Sequence, residues 1–181
     1  MSGRVFSGEK GKRCIMDKKY IHMYCGNGGG KSSAAIGQGI KSACAGKTVF
    51  VVQFLKGKAE SELDYLKRLE PEIKLFSFAK FQEQFGDLTE EEKQEEILHI
   101  KNGLNFAKKV LVTSECDVLI LDEILGLPKE GVIEEKELIP LLESVGDGVE
   151  LILTGVDRCE SLWPYVDEVT EVKTDYQAEN R

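Results

Sequence analysis

Apolar residues in this chain gather into six short runs, separated by stretches with a longer, helical period. The runs are YIHMYC (20–25), TVFVVQF (48–54), IKLFSF (73–78), DVLILD (117–122), VELILT (149–154) and EVTEV (168–172). Runs of this length suit strands, and the unbroken VLIL predicts one buried on both faces rather than alternating between core and water. Between Thr89 and Thr113 the period changes. Ile97, Ile100, Leu104, Ala107 and Leu111 recur at steps of three and four, which draws one apolar stripe along a helix. Thr89 and Glu92 have the spacing of a capping box at its start. Leu138, Leu141, Leu142 and Val145 make a second stripe, with Pro140 predicting a late start or a kink. Strands alternating with helices predict an α/β fold with a mostly parallel sheet of five to six strands and helices on both faces.

The flanks differ in character. Residues 1–19 carry six basic and two acidic side chains and little apolar periodicity, so a flexible arm is expected there. Residues 20–175 are expected to form a single domain and residues 176–181 a tail. The acidic stretch EQFGDLTEEEKQEE, with seven acids and one base, predicts a solvated loop and the first turn of the long helix.

Charge and cysteine content narrow the function. Across 181 residues, 24 Lys and Arg stand against 32 Asp and Glu, a net charge of -8, which argues against an extended nucleic-acid footprint but leaves room for a local nucleotide site. Five widely spaced cysteines without a CxxC, and only two histidines, suggest neither a disulfide frame nor a zinc site. No apolar stretch approaches a membrane span and no signal-peptide pattern is evident, so no membrane partner and a cytoplasmic location are expected.

The most concentrated chemistry is YCGNGGGKSSAA, residues 24–35. Glycines are costly to order and add nothing to a core, so four of them between a strand and a helix need another purpose. A glycine-rich turn at a helix N-terminus lets backbone N–H groups converge on an anion, and phosphate is its natural occupant. Lys31 would neutralise phosphate charge and Ser32 would ligate a nucleotide's magnesium, with Ser33 assisting. Against GxxxxGK[ST] the pattern misses only its first glycine, where Cys25 stands. A plain glycine-rich turn is the bland alternative, but strand, glycines, Lys-Ser and helix follow in the required order. The fold expected is therefore P-loop NTPase-like.

A second element converges on the same place. DVLILDE ends a buried strand with Asp122 and Glu123, at the end of the sheet where open α/β folds bind ligands. Together with Ser32, these carboxylates are candidate magnesium ligands. His22 and His99 are expected to pack or to face solvent rather than to act as bases.

These residues resemble the corrinoid adenosyltransferases of the phosphate-loop type, which act on cob(I)alamin or cob(I)yrinic acid a,c-diamide. The family's loop is similar to GNGKGKTTAA, and here Gly26-Asn27-Gly28-Gly29-Gly30-Lys31-Ser32-Ser33-Ala34-Ala35 stands in its place. A VQFIKG-like segment matches Val52 to Gly57, which adds Gln53 and Lys56 to the residues implied in cofactor binding with Gly26 to Ser33. LDEILGLPKEGVIEEKELIPLL and Thr154-Gly155 continue the match, which spans about residues 20 to 173. There are departures. Gly29 replaces a loop lysine, and Val156 stands where an arginine usually follows the threonine-glycine, with Arg158 two residues later. A tryptophan-bearing loop after the third strand has only phenylalanines here, among them Phe78, Phe81 and Phe85, the candidate corrinoid contacts.

The resemblance implies transfer of the 5′-deoxyadenosyl group of ATP to Co(I) of a corrinoid, with triphosphate leaving. Lys31 and Glu123 would be the catalytic residues, ATP and Mg²⁺ the cofactors, and the corrinoid the co-substrate. It also implies a reductase for the cobalt and a homodimer. Taken alone, the residues leave two other readings open: a phosphate-loop ATPase or nucleoside kinase, and a non-catalytic ATP-binding regulatory protein.

Overall fold

The computed structural model describes residues 18–55, 64–81 and 83–177. The arm expected over 1–19 falls outside this set up to residue 17, as do Lys56 and residues 178–181 of the expected tail.

All six apolar runs become strands: β1 (Tyr20–Cys25), β2 (Val49–Gln53), β3 (Ile73–Ser77), β4 (Val118–Asp122), β5 (Glu150–Thr154) and β6 (Glu168–Glu171). They form one sheet in the order β3-β2-β4-β5-β1-β6, and every pairing in it is parallel. Parallel strands need crossovers, and these carry the helices. The helix α1 (Lys31–Cys44) follows β1, α2 (Glu90–Thr113) follows β3, and the short α3 (Ile139–Glu143) precedes β5.

Because strand side chains alternate, each central strand divides its residues between two cores. Phe50, Val52, Leu119, Leu121, Leu151 and Leu153 face one core, which α2 closes with Ile100, Ala107, Val110 and Leu111. Val49, Val51, Val118, Ile120 and Ile152 face the other, which α1 closes with Ala35 and Ile36. All five residues of β4 are buried, as an unbroken apolar run in a doubly covered sheet requires. The helix α1 can lie this close because of Gly39, where a Cβ would stand 2.9 Å from Ile120 Cδ1.

The Thr89–Glu92 capping box forms in both directions at the start of α2. Pro140 sits in the first turn of α3, so the helix starts late, behind a 3-10 turn over Glu135–Leu138. The second stripe thus yields only five helical residues.

The edge formed by β1 and β6 is more polar on the α1 side. There His22 is 5% exposed. It is surrounded by Tyr20 and Tyr24 of its own strand, Gln38 of α1, Glu150 of β5, and Glu168 and Thr170 of β6. Burial lowers its pKa below the ordinary value, and the carboxylates of Glu168 and Glu150 only partly oppose this.

Two outcomes follow for stability. Leu121→Ala, in the fully buried interior, should cost about 3 kcal/mol in urea unfolding, whereas Leu98→Ala on the exposed side of α2 should stay within about 0.5 kcal/mol. The pKa of His22 is depressed on folding, so its contribution is fully present above about pH 6.5 and is lost as pH falls towards the folded-state pKa. Thermal unfolding followed through that window should therefore fall more steeply in the wild type than in His22→Leu; parallel curves would contradict the assignment.

Candidate functional site

Four strands end side by side at the C-terminal edge of the sheet: β1 at Cys25, β2 at Gln53, β4 at Asp122 and β5 at Thr154. Between β1 and α1 the chain turns through Gly26–Gly30. Gly26 has φ +105°, and a Cβ there would stand 2.5 Å from the Val172 carbonyl oxygen. Its N–H donates to the Val156 carbonyl at 3.0 Å, and the N–H of Gly28 to the Val172 carbonyl at 2.9 Å. This inner half of the loop is buried against the chain ends beyond β5 and β6, while Asn27, Gly29 and Gly30 are exposed.

Gly30, with φ +96°, caps α1 without a side chain, and its carbonyl accepts the first helical bond, from Ala34 at 2.8 Å. The amides of Lys31, Ser32 and Ser33 therefore precede the helical ladder and have no intrahelical acceptor. No acidic residue lies in this first turn, so the positive end of α1 is uncompensated by its own side chains. Lys31 is 7% exposed, and its Nζ donates to the Gly28 carbonyl at 2.8 Å. An ammonium so far removed from water, with a neutral carbonyl as acceptor, favours an anion beside it. Ser32 is half-buried and Ser33 exposed.

The carboxylates stand across β5. Asp122 is fully buried, and its Oδ1 accepts the Thr154 hydroxyl at 2.8 Å. The same hydroxyl oxygen accepts the Glu123 N–H at 2.9 Å, and the Asp122 carbonyl accepts the Phe54 N–H at 2.9 Å. Thr154 thus orients both acidic residues, a positioning role the sequence reading did not assign. Its signal was a hydroxyl ending an otherwise apolar strand. Glu123 adopts φ +63°, a conformation unfavourable for a side-chain-bearing residue and enriched at functional sites. Gln53 is buried and in register with Asp122.

Among the described residues no three His, Cys, Asp or Glu side chains come together as a metal nest. The hydroxyl of Ser32 and the carboxylates of Asp122 and Glu123 are hard oxygen donors, of the kind that would share a small divalent cation with substrate phosphates rather than enclose it.

The remaining candidates come from other segments of the chain. Phe85 is a core side chain, and Phe78 packs on Gly103 of α2, where a Cβ would meet its ring at 3.0 Å, and against Phe106 with ring centres 5.5 Å apart. Phe81 is half-buried, with the Lys80 ammonium 5.2 Å from its ring centre. The Arg158 guanidinium lies 5.1 Å from the ring centre of Trp163 and 3.4 Å from a Glu160 carboxylate oxygen. It borders a cleft of about 490 Å³, also lined by Lys129, Glu135 and Asp157.

Comparison with known proteins points in one direction. The family model described as ATP:corrinoid adenosyltransferase BtuR/CobO/CobP matches residues 17–179. A corrinoid adenosyltransferase of Pseudomonas aeruginosa is 26% identical over 171 residues, covering 89% of this chain and 82% of that protein. One from Escherichia coli K12 is 26% identical over 159 residues, covering 87% of this chain and 78% of its own length.

The loop geometry separates two neighbouring glycines. Gly28→Ala would place a Cβ 2.8 Å from Lys173 backbone, whereas Gly29 has open space. Titration with ATP should show binding weakened about tenfold or more by Gly28→Ala and changed less than about twofold by Gly29→Ala. Equal losses at both positions would show that the close approach does not shape the loop.

Proposed function

The chain belongs to the BtuR/CobO/CobP family of ATP:corrinoid adenosyltransferases, and on that basis we propose that it transfers the 5′-deoxyadenosyl group of ATP to reduced cobalt. Co(I) supplies the electron pair that forms the cobalt–carbon bond. The bond between C5′ and the triphosphate oxygen breaks, and triphosphate leaves with that bond's electrons. A cobalt delivered as Co(II) needs one further electron first, so an external reductase is part of the proposal.

The observation that carries this reading is Lys31, an ammonium buried at the mouth of α1 and already fixed on the Gly28 carbonyl. Charge accumulates on the departing triphosphate, so a cation and amides oriented beforehand stabilise the transition state without reorganising. No proton has to be removed from the attacking cobalt, so no general base is required. In our reading the amides of Lys31, Ser32 and Ser33 grip the phosphates while Lys31 neutralises them. Ser32, Asp122 and Glu123 would hold Mg²⁺, which would add positive charge against the leaving group. Thr154 holds the Asp122 carboxylate and the Glu123 backbone for that purpose.

Gln53, at the end of β2, would line the nucleotide side of the site through its neighbour Asp122. Because Phe85 is buried in the core, contact with the corrin ring would fall to the half-buried Phe78 and Phe81, which also pack against that core.

The test mixes the protein with ATP, Mg²⁺ and chemically reduced cobalamin without oxygen, following the visible spectrum and the phosphate products. A coenzyme spectrum with stoichiometric triphosphate is expected. ADP as the product would instead identify an ATPase or kinase. Lys31→Ala should lower kcat/KM for ATP by about 10² to 10³. An unchanged value would remove the cradle from the mechanism.

A further inference from the structure

The strand β6 contributes no residue to the chemistry above, yet the chain just beyond it moulds the phosphate loop. Val172 donates its N–H to the Cys25 carbonyl at 2.8 Å and accepts the N–H of Gly28 at 2.9 Å. The carbonyl of Gly28 in turn accepts the Lys31 ammonium at 2.8 Å. One residue therefore joins the edge strand to the catalytic cation: the placement of Val172 sets the orientation of Gly28, and Gly28 sets where the ammonium rests. Neither Gly26 nor Gly28 has slack, since a Cβ would lie 2.5 Å from Val172 at the first and 2.8 Å from Lys173 at the second.

What fixes β6 matters because, among the described residues, it pairs on one side only, with β1. Tyr20 bonds to Glu168, and the Ile21 N–H donates to the Asp167 carboxylate at 2.8 Å, but both ties lie at the start of the strand. Nearer the loop, the Thr170 hydroxyl meets His22 Nε2 at 2.9 Å, only two residues before Val172. His22 is a firm anchor. Its ring centre is 4.1 Å from that of Tyr24, whose hydroxyl in turn donates to Gln38 of α1 at 3.0 Å. The imidazole and the Thr170 hydroxyl share one hydrogen bond, and the imidazole tautomer sets which of them donates.

We infer that His22, acting through Thr170, is a positioning residue for Lys31: the pair holds the end of β6 so that Val172 orients Gly28 for the lysine and the phosphates. Neither side chain touches substrate in this account. The inference deepens the adenosyl-transfer reading and rests on it for its kinetic part only.

The experiment compares Thr170→Val, which removes the hydroxyl and keeps the shape, with Thr170→Ser, which keeps the hydroxyl. Amide hydrogen exchange at Gly28 is followed by NMR in the nucleotide-free protein. The valine variant should exchange up to about fivefold faster at Gly28, the equivalent of one lost hydrogen bond, and the serine variant at the wild-type rate. The KM for ATP should rise by a similar factor in the valine variant alone, with the KM for the corrinoid unchanged. Thr170→Ala puts the same question should valine strain the edge strand. Wild-type exchange at Gly28 in both variants lacking the hydroxyl would overturn the inference, as would faster exchange with an unchanged KM for ATP. A wild-type protein that did not turn over ATP would count against the adenosyl-transfer reading, and Gly28 exchange, measured without nucleotide, would still decide the positioning role.

Discussion

The constraint behind the whole structure is that its sheet is parallel and covered on both sides. Such a sheet consumes the side chains of its central strands β2 and β4 in two cores. Chemistry is confined to where strands stop. Cys25, Gln53, Asp122 and Thr154 mark that edge, and three of them are polar residues that end otherwise apolar runs. The chain lines up its reactive groups by ending its strands in register, as Gln53 with Asp122 and Tyr24 with Thr154 show.

At that edge the parts hold one another. Thr154 stands on β5, between the strand that leads into the phosphate loop and the strand that carries Asp122, and its hydroxyl ties the carboxylate to the middle of the site. A buried carboxylate without such a donor would be costly to keep charged. The loop is held from outside by carbonyls of Val156 and Val172, which occupy the amides of Gly26 and Gly28. The amides at the start of α1 are left without an intrahelical acceptor by the helix geometry itself. Holding and binding are divided between the two halves of one short turn.

The departures from the family's pattern have different physical standing. At Gly29 nothing crowds the position, so the glycine is not imposed by packing, and a lysine would fit there. Arg158 is engaged by Trp163 and Glu160. The phenylalanines after β3 mostly serve the core beneath α2.

Much of this was legible in the sequence, for a reason specific to each element. Strand runs, the stripe and capping box of α2, the glycine-rich turn and the LDE ending are local patterns, and period and composition report them directly. Lys31, Ser32, Asp122 and Glu123 could be named because each sits at a fixed offset from a strand end or a helix start. The rest required contacts distant along the chain. That Phe85 is buried while Phe81 is half open depends on how the segment after β3 folds back on α2. That Gly26 and Gly28 must be glycines depends on a strand more than 140 residues further along pressing against them. No local pattern records such an approach, so composition could supply the loop's chemistry, but only the tertiary structure decided which of its amides are held and which remain to bind.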